Sequence, residues 1–197
     1  ENGFPDIRSA SEEILLITVK DLQSKKITTF GYSPTGSTFE NTRDDITYNA
    51  YTTELAMLKD FMIWWQQNYP DIITGWNTDF FDVPYLINRI GRELGDTFAK
   101  KMSPWGIINQ RNTFIKGNEE QHYDISGISQ LDYLELYKKY TYSKQESYRL
   151  DYIAEQELGD KKKENPGNSF RDFYINHWNK FVEYNIHDVE LVDKLED

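Results

Sequence analysis

Ile72-Ile73-Thr74-Gly75-Trp76-Asn77-Thr78-Asp79-Phe80-Phe81-Asp82-Val83-Pro84-Tyr85 is the stretch on which the fold turns. Its opening, Ile72 to Trp76, is short and apolar, which predicts a buried strand. Proline suits the first helical turn, and Leu86, Ile90 and Leu94 recur at helical spacing, so Pro84 opens a helix predicted over Val83 to Leu94. Residues 77–82 are then the loop between strand and helix, and they carry two carboxylates, Asp79 and Asp82. Taken by itself, Asp82 is a good N-cap for the helix behind it.

Upstream, Thr53 to Gln67 repeats Leu55, Leu58, Met62 and Trp65, an amphipathic helical stripe closed off by Pro70. Earlier still, the apolar run Glu13 to Val19 and the β-prone Ile27-Thr28-Thr29-Phe30 flank the polar turn Gln23-Ser24-Lys25-Lys26 and predict a buried hairpin. Downstream, Ile107 to Ile115 and Gln121 to Ile125 flank Lys116-Gly117-Asn118-Glu119-Glu120, whose glycine and asparagine tolerate positive φ, so a second, exposed hairpin is predicted. A strand at Ile128 to Leu131 follows, then short helices at Tyr133 to Tyr140 and Leu150 to Leu158. The loop Gly159 to Ser169 holds Lys161-Lys162-Lys163 and Pro166-Gly167, and a last helix runs from about Asp172 to Leu195. With no repeat, low-complexity tract or linker in view, alternating strands and helices predict a single α/β domain over residues 1–197.

No apolar run approaches the length of a membrane span, so no membrane partner is expected. The chain has no cysteine, so any metal must sit on carboxylates or on the three histidines. His122, His177 and His187 have no mutual metal-ligand spacing and read as surface or packed residues. A formal net charge of −11 repels phosphate and argues against a free-standing binder of duplex DNA held by counterion release. No glycine-rich phosphate loop or nucleophile elbow is present.

A second constellation stands about a hundred residues after the first, at Tyr184-Asn185-Ile186-His187-Asp188. On a helix, residues four apart share a face, so the Tyr184 hydroxyl and the Asp188 carboxylate can serve one site. Alone, such a pair is ordinarily a packed aromatic and a solvated charge. Together, Asn77-x-x-x-Phe81-Asp82 and Tyr184-x-x-x-Asp188, in this order, resemble the second and third exonuclease motifs of family B DNA polymerases. Thr74 to Asn77, Pro84-Tyr85 and Asn88-Arg89-Ile90 are similar to the T-even phage branch, as is Leu131-Asp132-Tyr133-Leu134-Glu135-Leu136-Tyr137-Lys138-Lys139. Asp132 in that segment reads as a helix cap. Ser103-Pro104 and the polar hairpin fall where those enzymes place a hairpin that helps move the primer end. Lys162 and Lys163 lie near where the family often carries a lysine, although a solvated charge run accounts for them as well.

The resemblance implies a ribonuclease-H-like (DnaQ-like) exonuclease fold, a mixed sheet flanked by helices. It implies a 3′→5′ proofreading activity on single-stranded 3′ ends, with two divalent cations, Mg²⁺ or Mn²⁺, roughly 4 Å apart. Asp82 and Asp188 would be metal ligands, Tyr184 would orient the attacking water, and Asn77 and Phe81 would contact the frayed primer strand. These side chains are expected to converge on one cleft, beside a polymerase domain of the parent chain, in the cytoplasm of a phage-infected bacterium. The family's Asp-x-Glu motif on the opening strand has no counterpart here. The expectation is therefore a domain incomplete at its N-terminus, its first strand missing, with low metal occupancy and little activity as a fragment. A dimer pairing across the open sheet edge is a further expectation. The alternative from another class is a catalytically silent ribonuclease-H-like module that binds nucleic acid or acts as a scaffold.

Overall fold

A computed structural model describes residues 5–115, 118–160 and 166–196. Strands and helices alternate in a mixed α/β chain with two compact units. One unit takes residues up to Glu13 together with Leu58–Tyr142, the other Ile14–Met57 together with residues from Ser143 onward. No helix among the described residues is long and apolar enough to cross a membrane.

In the second of these units, β1 (Leu16–Lys20) pairs antiparallel with β2 (Ile27–Tyr32), the predicted hairpin. On its other side β2 pairs in parallel with β3 (Ile46–Tyr51), a strand the sequence reading does not include. A Cβ on Gly31 of β2 would lie 2.3 Å from the Tyr48 hydroxyl, so glycine is what lets that ring cross the sheet. Helix α1 (Glu54–Gln67) begins here and continues into the other unit. Its buried face is Met57, Leu58, Phe61, Met62 and Trp65, while Leu55 lies exposed, so the stripe is rotated from the one read in the sequence.

The predicted final helix is two helices, α6 (Phe170–Asn176) and α7 (Trp178–Glu196), joined at His177 with φ −132° and ψ 41°. Residues eight apart on one straight helix are separated by about 12 Å along its axis. The Phe173 and Phe181 rings instead meet edge to face at 5.4 Å, which requires the chain to fold back at His177. Both helices thereby enter one core with Ile27, Ile46, Trp178, Val182 and Ile186. The Trp178 indole N–H donates to the Tyr48 hydroxyl at 3.1 Å, so this core has its buried polar atom matched. Helix α5 (Leu150–Leu158) completes the unit with the predicted bounds, and its C-cap Gly159 adopts a left-handed φ of 66°.

In the other unit, β4 (Ile72–Gly75) pairs in parallel with β7 (Ser129–Asp132). It is less buried than its composition predicts, and Ile72 is 55% exposed. Helix α2 (Asp82–Leu94) follows, then α3 (Asp96–Ala99) and a 3-10 turn at Lys100–Met102. The second predicted hairpin is β5 (Ile108–Ile115) with β6 (Asn118–Ile125). Its tip residues Lys116 and Gly117, like Lys162 and Lys163, lie outside the described residues. Helix α4 (Tyr133–Tyr140) has the predicted bounds. Residues 7–13 run along α2, held by Asn88 to the Ile7 carbonyl at 2.8 Å, Tyr85 to that of Glu12 at 2.6 Å, and buried Arg89 to those of Ala10 and Ser11 at 3.0 Å each.

Candidate active site

The loop between β4 and α2 is built by backbone constraints before any side chain acts. Asn77 sits in the left-handed region at φ 64°, which asparagine tolerates better than most residues. Its carbonyl accepts from the Phe81 N–H at 3.1 Å, and that of Thr78 accepts from Val83 N–H at 2.9 Å, closing the loop directly onto the helix. Gly75 is needed for the same turn, since a Cβ there would lie 2.3 Å from the Thr78 methyl.

The parallel register sets Asp132, the last residue of β7, beside Gly75, the last of β4. Asp132 is 4% exposed, and one of its oxygens accepts from the N–H groups of Leu134 and Asn77, each at 3.0 Å. The other accepts from the Asp79 N–H at 3.0 Å. Asp132 therefore caps α4, as its sequence context predicts, and also ties the 77–79 backbone. Asp79 accepts from the Gln130 amide at 3.3 Å, while the Gln130 carbonyl accepts from the Ile125 N–H at 2.9 Å. Lost hydration and the neighbouring Asp132 charge raise the Asp79 carboxyl above the usual carboxylate range. The Phe80 ring meets His122 edge-on at 4.3 Å, so this histidine is packed, as read from its lack of metal spacing.

Asp82 does not cap its helix. Phe81 occupies the cap position, without a side-chain cap hydrogen bond, and Asp82 is the first helical residue, where its charge faces the positive end of the helix. The ordinary capping account of Asp82 is thereby set aside. Its side chain has exposed surface, yet its carboxyl is pushed up to about 6. Lost hydration is the largest cause, opposed by a hydrogen bond from its own N–H and reinforced by the Asp132 charge. Phe81 is partly exposed and stacks on Tyr85 with centroids 5.8 Å apart.

Tyr184 and Asp188 stand one turn apart on α7, in the other unit, both partly buried. Phe173 meets the Tyr184 ring edge-on at 5.9 Å. Burial first, then the negative charges of Asp188 and Asp151, raise the Tyr184 hydroxyl above its ordinary pKa, with Arg149 opposing. The Asp188 charge thus acts on the Tyr184 hydroxyl one turn away. Among the described residues, no group of three or more histidine, aspartate and glutamate side chains is assembled that could hold a metal ion.

A family model for the exonuclease domain of family B DNA polymerases matches residues 4–153. The chain is similar to the DNA-directed DNA polymerase of Escherichia phage RB69, 40% identical over 156 residues that cover 76% of this chain and 16% of that protein. Its similarity to the DNA-directed DNA polymerase of Enterobacteria phage T4 is 36% identity over 155 residues, 78% of this chain and 17% of that one. With the DNA polymerase catalytic subunit of Gallid herpesvirus 2 it shares 25% over 161 residues, 75% of this chain and 13% of that protein. The chain belongs to the exonuclease-domain family of the family B DNA polymerases. Within it, the likeness is to the T-even phage branch, and the chain spans about a sixth of the length of those two phage enzymes. Asn77, Phe81, Asp82 and Asp132 fall inside the residues matched by the family model; Tyr184 and Asp188 lie beyond them.

Proposed function

We propose that this chain is the 3′→5′ proofreading exonuclease domain of a phage-type family B DNA polymerase, ribonuclease-H-like in architecture and forming one exonuclease domain over its length. It would act on single-stranded 3′ DNA ends beside the polymerase domain of its parent chain, in the cytoplasm of an infected bacterium. The observation that carries the reading is Asp82, an accessible carboxylate with a strongly raised proton affinity at the head of a helix, in the loop that also bears Asn77 and Phe81. The poor hydration and negative field that hold a proton on Asp82 also favour a divalent cation, and a donor set of oxygens alone suits Mg²⁺ or Mn²⁺. Asp82 and Asp188 are each proposed as a metal ligand. When bound, such ions supply a nucleophilic water near neutral pH and stabilise the leaving 3′ oxygen.

This chain's own residues then have separate tasks. The Tyr184 hydroxyl, kept protonated by burial and by Asp188, can donate a hydrogen bond to orient a water at the scissile phosphate. Asn77 and Phe81 would grip the terminal nucleotides, the amide by hydrogen bonding and the ring by sequence-tolerant stacking. The test is release of nucleoside monophosphates from the 3′ end of a single-stranded oligodeoxynucleotide by the full-length product of the gene, with Mg²⁺ or Mn²⁺. Asp82→Ala should abolish it. Undiminished cleavage would exclude Asp82, and binding without cleavage would favour a catalytically silent nucleic-acid-binding module.

A further inference from the structure

Asp132 holds more of this site together than its position as a helix cap requires. Three backbone N–H groups converge on one buried side chain, and only that of Leu134 belongs to the helix it caps. The other two, from Asn77 and Asp79, come from the loop that joins β4 to α2, 55 and 53 residues away in sequence. The Asn77 amide lies at the residue in the left-handed conformation, where the chain reverses. A loop conformation of this kind persists only when its surroundings over-determine it. Here one anionic acceptor supplies two of the constraints, and hydrogen bonds to a charged acceptor are roughly twice as strong as neutral ones.

We infer that Asp132 is a positioning residue of the exonuclease site, whose carboxylate fixes the backbone from Asn77 to Asp79 and thereby the placement of Asn77, Phe81 and Asp82. The inference rests on the proposed nuclease reading for its effect on turnover; its structural half stands independently. The geometry makes a graded requirement. An asparagine at this position keeps one acceptor oxygen, for Leu134 and Asn77, but turns its NH₂ towards the Asp79 N–H, donor against donor. A serine caps α4 yet is too short to reach the loop. As N-caps, aspartate, asparagine and serine are nearly equivalent. Capping alone therefore predicts equal behaviour for the three, whereas loop positioning predicts the order Asp, then Asn, then Ser.

The experiment compares the wild type with Asp132→Asn and Asp132→Ser in the full-length product of the gene. It reads Mg²⁺-dependent 3′→5′ turnover on a single-stranded oligodeoxynucleotide and residue-resolved amide hydrogen exchange. Turnover should fall about 10-fold for Asn and about 100-fold for Ser, the latter being the cost expected of a misplacement near 1 Å. In Asp132→Ser the Asn77 and Asp79 amides should exchange at least about 10-fold faster while Leu134 stays protected. Equal turnover in the two variants, or unchanged exchange at Asn77 and Asp79, would overturn the inference. If neither variant folds, the wild type decides: unprotected Asn77 and Asp79 amides overturn it and protected ones support it. Absence of cleavage by the wild type would count against the nuclease reading, and the exchange rates would still decide whether Asp132 holds the loop.

Discussion

Asp82 and the Tyr184–Asp188 pair reach their conformations by different routes. On α7 the relation between Tyr184 and Asp188 is set by the helical period, and the helix is anchored by apolar packing of Phe181, Val182 and Ile186 on the adjoining sheet. In the loop before α2 no period operates. Asn77 stands at positive φ, Thr78 lies against Gly75, and two amides are held by a carboxylate more than fifty residues further along the chain. A helical pair tolerates change at its neighbours as long as the core survives. A braced loop depends on single atoms. Placement of Asn77, Phe81 and Asp82 to a fraction of an ångström, which the proposed function would need, therefore depends on groups outside the loop itself.

The largest effect that would break this comparison is on cleavage itself. With Asp82 as the proposed metal ligand and Tyr184 as the proposed water-orienting group, Asp82→Ala should reduce 3′→5′ turnover by about 10³-fold or more, whereas Tyr184→Phe should cost about 10-fold. Comparable losses in the two variants, measured in one assay, would contradict the separate roles.

Next in size is the packing that anchors α7. Phe173 is 2% exposed and meets both Phe181 and Tyr184, so Phe173→Ala should lower unfolding free energy by about 3–5 kcal/mol. Chemical denaturation of the folded protein measures this, and a loss under about 1 kcal/mol would mean that the core does not hold this helix as described.

Smaller again is the backbone term at Asn77. Alanine there should destabilise by about 1–2 kcal/mol for the left-handed conformation, and glycine should be close to neutral. Asn77→Gly thus separates backbone from side chain: if it folds normally but binds single-stranded DNA more weakly, the amide contacts DNA. Binding equal to wild type would leave Asn77 with a conformational role alone.

The smallest effect is electrostatic. The Asp82 carboxyl has a folded-state value near 6, above its unfolded one, so ionisation penalises the fold. That penalty is absent below about pH 3.8, grows between there and 6, and is complete above 6. Asp82→Asn should therefore stabilise the metal-free protein at pH 7 and not at pH 3.5. Discounted for the solvent access of the side chain, the gain is about 1 kcal/mol, or 2–4 °C in Tm for a chain near this length, roughly 200 residues. A gain of equal size at both pH values would trace it to something other than the charge.

Much of the secondary structure was legible because local rules acted alone. The bounds of α4 and α5 follow from a cap or turn signal and a short apolar period. The β1–β2 hairpin follows from two β-prone runs around a polar turn, and α2 from Pro84 with its leucine and isoleucine spacing. What was missed depended on distant partners. Strand β3 gains its place by parallel pairing with β2. The break at His177 has no glycine or proline to announce it, and follows from the Phe173–Phe181 contact and the burial of Trp178.

The candidate site divides along the same line. By itself the sequence determined which chemistry is available, through Asn77, Phe81 and Asp82 in one loop and Tyr184 four residues before Asp188, since residue types and short spacings survive without a fold. Only the tertiary structure decided that Asp82 is a poorly hydrated first residue of α2 and not its cap, because hydration is set by everything packed around a group. Only the register of β4 against β7 could bring Asp132 to the loop, because strand pairing joins backbone groups across more than fifty residues that no local pattern connects.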